Sequence, residues 1–190
     1  MYIAMAIGIG LLIVILVIVV IGVGIYNSLI HLKETINQAW ANIDVILKQR
    51  YDEVPKLVKL CEQYMQYEQG TIDKIMKARE NMVQGSQESR MQASEELSLG
   101  IKGLLAVGEN YPELKANENF MQLQSRISEL EESLADRREY FNNVVNNFNI
   151  RIQQIPDVFI ARFLGYTAKE MFEVKEHERQ DISVDMNIPT

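Results

Sequence analysis

The chain has 190 residues, a formal net charge of −7, two histidines and one cysteine, enough for an anchor and one ordinary domain. A disulfide framework and a Cys/His zinc site are excluded within one chain. The acidic balance disfavours nucleic acid, whose phosphates need a clustered basic surface: Lys48, Arg50, Lys56 and Lys59 come nearest to one, but Asp44, Asp52, Glu53 and Glu62 interleave them as on a solvated helix face.

Residues 3–25 carry no charged or strongly polar side chain, which exceeds the roughly 20 residues a helix needs to cross a bilayer. The β-branched bias does not make this a strand, because an isolated strand in lipid leaves its backbone groups unpaired. The length of the run and the lack of Lys or Arg before it oppose a cleaved signal peptide. Basic residues follow the span at Lys33, Lys48 and Arg50, so the positive-inside rule puts the N-terminus outside and the remainder in the cytoplasm of a bacterial inner membrane. Ala4/Gly8, Ala6/Gly10 and Gly24/Ser28 are small residues four apart, spaced to let two spans approach.

Residues 1–30 therefore form a transmembrane helix, and 31–155 read as a long-helix bundle. Apolar residues recur at steps of three, four and seven through Ile36, Trp40, Ile43, Leu47, Val54, Val58, Cys61, Met65, Ile72 and Ile75, a helical period held for many turns. Pro55 interrupts the pattern but its phase carries through, which predicts one kinked stalk helix; the alternative is a new helix capped by Asp52 with Pro55 in its first turn. Cys61 reads as a small buried hydrophobe. A turn at 83–88 precedes a helix over 89–107, and Gly108 to Pro112 breaks the chain. Phe120, Leu123, Ile127, Leu130, Leu134, Phe141, Val144, Val145, Phe148 and Ile152 then predict a helix over 117–154, stopped by Pro156 and on the order of 55 Å long. The fold class is all-α: a membrane helix continuing into an elongated antiparallel up-and-down bundle. Residues 156–172 hold a short apolar helix ending at Gly165, too apolar for its length, to be covered by the end of the bundle, another protein or lipid. The charged tail, 173–190, is expected to be poorly ordered.

No Ser/His/Asp or Cys/His arrangement can be assembled and no glycine-rich phosphate loop occurs. The doublets Glu95-Glu96 and Glu131-Glu132 are consecutive on helices, so neither converges on one atom. A di-iron site would need Glu-x-x-His pairs, and Ser28 and Val174 stand three before the two histidines. No enzyme, cofactor or metal is expected. More informative are charges near the apolar face: Asp44, Lys48, Arg50 and Asp52 on the first helix, and Arg137 and Arg138 on the last long one. Asp44/Lys48 is an i,i+4 pair worth about 0.3 to 0.5 kcal/mol if exposed. A cross-helix pair of Asp44 with Arg137 or Arg138 would fix the bundle's register, with surface pairing as the plainer alternative. Trp40 is a candidate for burial in the bundle.

Four stretches together resemble the LemA family: Tyr26-Asn27-x-Leu29; Ala39-Trp40-x-x-Ile43-Asp44-Val45-x-Leu47-Lys48-x-Arg50-Tyr51-Asp52-x-x-Pro55-x-Leu57-Val58; Tyr111-Pro112-Glu113-Leu114-Lys115-Ala116-Asn117-x-Asn119-Phe120-x-x-Leu123-Gln124; and Arg137-Arg138-x-Tyr140-x-Asn142. The resemblance implies a membrane-anchored, N-out helical bundle without an established biochemical activity, often encoded beside HtpX-type membrane zinc proteases. Ile46 and Gln49 depart from the family's usual run at that turn. The function this favours is a scaffold or adaptor that forms a homo-oligomer and engages a membrane partner, an HtpX-type zinc metalloprotease being the foremost. Phe159 and Phe163 would supply assembly contacts, and the turn holding Asp44, Arg50 and Asp52 would select the partner. The alternatives are a membrane-shaping or tethering coat, which the acidic balance opposes, and a ligand sensor, which would need a pocket.

Overall fold

The computed structural model describes residues 1–65 and 69–172; the tail 173–190, with His177, lies outside the described residues. These residues form six helices and no strand. Helix α1, Tyr2–Glu62, is unbroken from the apolar run into the bundle. It is the one helix among the described residues long and apolar enough to cross a membrane. Its large apolar side chains from Ile3 to Ile21 are all at least 50% exposed. From Ile25 onward one face is covered, through Leu29, Ile36, Ala39, Ile43, Leu47, Val54, Leu57 and Cys61. The change from apolar all round to an apolar stripe marks where lipid would give way to protein as the helix's solvent.

Pro55 lies inside α1 without ending it. Proline has no N–H, so the carbonyl four residues back, at Tyr51, loses its helical donor. Arg79 supplies a replacement: its Nε donates to the Tyr51 carbonyl at 2.7 Å, and its guanidinium lies 3.5 Å from the Tyr51 ring centroid. Asp52 starts no helix; it accepts from Lys48 Nζ at 2.6 Å.

The stalk pattern does not run on to Ile75 as one helix. α1 ends at Glu62, the Met65 amide folds back to the Cys61 carbonyl at 2.8 Å, and Ile72 and Ile75 belong to α2, Gln69–Asn81. The reason is the length of the facing helix. Tyr64 meets Asn117, the cap of α5, at 3.2 Å, so beyond this point a straight α1 would have no partner. Turning back instead buries Met65, Ile72 and Ile75 almost completely.

Helix α3, Gln87–Gly108, starts at Ser86, whose side chain accepts from the Ser89 amide. It pairs closely with α2: a Cβ at Gly100 would stand 2.8 Å from Ile75 Cγ1, so only glycine permits this approach. A four-residue helix α4, Pro112–Lys115, leads into α5, Glu118–Arg151, where the Asn117 side chain accepts from the amides of Asn119 and Phe120. α5 runs antiparallel to α1 along the soluble half, and the bundle is up, down, up, down. After α5 the short helix α6, Asp157–Phe163, packs against α1. Gly165, at φ +68°, turns the chain so that 166–172 runs back along α5.

Candidate functional site

Two constellations fall between the helices, one polar and one aromatic. The first is centred on Arg50, which is 1% exposed. It stands in the buried series Ile43, Leu47, Val54, Leu57, so the helical period itself carries the guanidinium inward. Nη1 donates to Ser94 Oγ at 2.6 Å, and Nη2 donates to Ser98 Oγ at 2.9 Å and Glu131 Oε1 at 2.6 Å. The Ser98 hydroxyl lies 2.9 Å from Glu131 Oε2, closing a ring that joins α1, α3 and α5. Burial lowers the Arg50 pKa from its ordinary value, against the pull of Glu131 and with the help of nearby Arg138. A guanidinium nevertheless remains charged. Arg138 in turn faces Glu95 at 3.5 Å. No group of three or more His, Cys, Asp or Glu among the described residues is placed to hold a metal ion.

The second constellation is a groove nearer the span. Its volume is about 920 Å³, and Ile36, Met91, Gln92, Glu95, Phe141 and Phe172 line it. The extended segment 166–172 forms one wall, held by two asparagines seven apart on α5. Asn149 Nδ2 donates to the Lys169 carbonyl and its Oδ1 accepts from the Lys169 amide, both at 2.8 Å. Asn142 does the same to the carbonyl and amide of Phe172, again at 2.8 Å. A primary amide presents one donor and one acceptor side by side, matching a single residue's C=O and N–H, so this clasp reads backbone rather than side chain. Selection by side chain comes from aromatic contacts. The Phe172 ring lies 4.7 Å from Phe141 and 5.9 Å from Trp40, and Trp40 meets Phe141 edge-on at 6.3 Å.

The structure gathers some of the expected residues and separates others. Trp40 is half-buried at the groove, not enclosed in the core. Asp44 pairs with Arg90 of α3, not with Lys48, Arg137 or Arg138; Lys48 is taken by Asp52, and Arg138 by Glu95. The Arg90 guanidinium also sits 5.4 Å from the Trp40 ring. Arg137 and Asp52 are exposed, and Phe159 and Phe163 project from α6. Glu131, Ser94, Ser98, Arg90, Asn142, Asn149 and Phe172 escape a reading of the sequence as a line. For the asparagines a signal exists: each directly follows an inward-facing phenylalanine, Phe141 or Phe148, at heptad spacing.

The LemA family pattern matches residues 39–186. Magnetosome protein MamQ 2 of Paramagnetospirillum magneticum is 31% identical over 72 residues, covering 38% of this chain and 26% of that protein. Magnetosome protein MamQ of Magnetospirillum gryphiswaldense is 22% identical over 177 residues, covering 79% of this chain and 65% of its own. Protein LemA of Metamycoplasma hominis is 24% identical over 159 residues, covering 82% and 72%. The chain thus spans from about a quarter to about two-thirds of the magnetosome relatives it matches.

Proposed function

Because this chain belongs to the LemA family, we propose that it is a non-catalytic, membrane-anchored scaffold or adaptor, assembling with copies of itself and with a membrane partner, an HtpX-type zinc metalloprotease. The observation that carries this reading is the clasp at Asn142 and Asn149, which grips an extended chain by its backbone while Trp40 and Phe141 take an aromatic side chain. In the chain by itself, segment 166–172 fills that clasp. An extended segment of a partner with an aromatic residue in the same register offers the same groups and competes for them. The residues with the strongest chemistry, Arg50 and Glu131, are spent on each other and on two serines, which supports a structural rather than a catalytic use.

The bundle lies on the cytoplasmic side of a bacterial inner membrane with the N-terminus outside. Lys33, Arg151 and Arg162 all belong to the end of the bundle nearest the span, which supports that orientation. The test is co-purification of tagged full-length chain with a co-expressed HtpX-type protease after cross-linking in membranes. The native chain should retain the protease, and Asn142→Ala/Asn149→Ala should lose it while keeping the native helical content by circular dichroism. No retention by the native chain, or equal retention by both, overturns the reading.

A further inference from the structure

α6 carries an apolar stripe that the bundle does not cover. Phe159 and Phe163, four apart on α6, are 66% and 89% exposed, and Ile155, in the turn just before α6, is 80% exposed. The opposite side of this short segment is anchored: Asp157 and Ala161 are buried, Asp157 accepts from Arg151, and Ile160 is packed against the core. The stripe therefore points outward by construction, and a free rotation of α6 cannot hide it.

Its height along α1 is fixed by one contact. Ile160 Cδ1 lies 3.9 Å from where a Cβ on Gly22 would stand. Counting from Ile3, Gly22 is reached after about 30 Å of helix, the thickness of a bilayer's hydrocarbon core. α6 thus sits where hydrocarbon meets headgroups, beside a helix whose large apolar side chains from Ile3 to Ile21 are exposed on all sides. Exposed phenylalanines beside a basic residue are what a helix lying in a membrane interface presents on its apolar face. The charges around them suit it as well. Arg162 is exposed beside Phe163, Arg151 pairs with Asp157, and Lys33 lies 5.6 Å from the Tyr166 ring, while the acidic residues Glu34 and Glu170 each adjoin a lysine, Lys33 and Lys169. An arginine next to an immersed phenylalanine can lay its stem on acyl chains and its guanidinium among phosphates.

We propose that α6 is a membrane foot: Ile155, Phe159 and Phe163 lie in the interfacial layer of the same leaflet that the bundle faces, and they fix the bundle's height and tilt on the bilayer. The lipid surface is favoured over a protein partner by continuity, since the stripe extends the lipid-facing surface of the span at the same level. This inference rests on the span being a membrane anchor, and the experiment separates the two failures.

Full-length chain with Trp40→Phe is reconstituted into vesicles of phosphatidylethanolamine and phosphatidylglycerol, carrying either Phe163→Trp or, as a control for the span, Leu12→Trp. Lipids brominated near the ester end or near the chain terminus serve as quenchers from within, and iodide serves from water. The tryptophan introduced at 163 should be quenched most by bromine near the ester end and little by iodide. Quenching by iodide to the level of a freely dissolved tryptophan analogue overturns the proposal, because the stripe then lies in water. Protection from both quenchers also overturns it, because a second copy or a partner then covers the stripe. If the tryptophan at 12 is not quenched by lipid either, the anchoring reading fails first.

Discussion

Arg50 brings a full charge into the centre of the bundle at 1% exposure, and the cost of that burial is met only while Glu131, Ser94 and Ser98 stay in place. Removing one partner of such a pair costs about 3 to 5 kcal/mol, whereas replacing both by apolar groups of similar volume is often neutral. Glu131→Ala should therefore lower stability by about that amount in urea titration, and Arg50→Met/Glu131→Met should recover most of it. A double variant as unstable as the single one would mean that the serines, not the carboxylate, hold the arginine. Cys61 offers a second test. Burial, with Glu62 adding to it, raises its thiol from 9.0 to about 11. The folded value is above the unfolded one, so this contribution is intact below pH 9 and disappears as pH rises through about 11. Its size is on the order of 2 kcal/mol. Cys61→Ala should flatten that alkaline loss in pH-dependent melting, relative to the native chain. The identity of Cys61 as a buried small hydrophobe was legible from its place in the apolar period. The partners of Arg50 were not, because a helical period tells which residues face inward but not what they meet there.

The elements themselves were legible wherever a local signal and a tertiary one coincide. Asn117 before an apolar period, Gly85-Ser86 before α3 and Pro156 after α5 set boundaries that the structure keeps within a few residues. The period failed at Ile72, since a stretch that turns back on itself can keep the same spacing as one that runs straight on. Pro55 shows the reverse case, a breaker that does not break because a neighbouring helix satisfies the carbonyl it frees. Arg79→Met should then cost about 1 to 3 kcal/mol, the range for a buried group left unsatisfied. In a Pro55→Ala background, where residue 55 regains an amide, the same change should cost distinctly less. Equal costs in both backgrounds would assign Arg79 to its stacking on Tyr51 alone. The clasp on the extended segment makes its own prediction. The amides of Lys169 and Phe172 should exchange slowly in the native chain, and Asn149→Ala and Asn142→Ala should speed the first and the second respectively in hydrogen-exchange spectra.

At the scale of the molecule, the up-and-down architecture follows from loop chemistry and helix lengths, and both can be counted in the sequence. The α1–α5 pairing at Trp40 and Phe141, and the return of 166–172 along it, depend on residues far apart in the chain and became visible only in three dimensions. Topology can be measured directly. With Cys61→Ser to remove the native thiol, Ser86→Cys places an exposed thiol at the turn before α3. In intact spheroplasts an impermeant maleimide should leave it unlabelled, and after lysis it should label fully; labelling before lysis would put the bundle outside.

α1 has no break between its apolar run and the residues that form the core. From Gly22 to Glu62 it is a rod of about 60 Å. Held in a bilayer by its apolar run, as proposed above, such a rod would be a lever whose far end magnifies what happens at its base. If a thinner bilayer leans the span by about 10°, the turn at Gln63 and Tyr64 sweeps sideways by about 10 Å. The distal tip of the bundle would then report the thickness and curvature of the membrane beneath it.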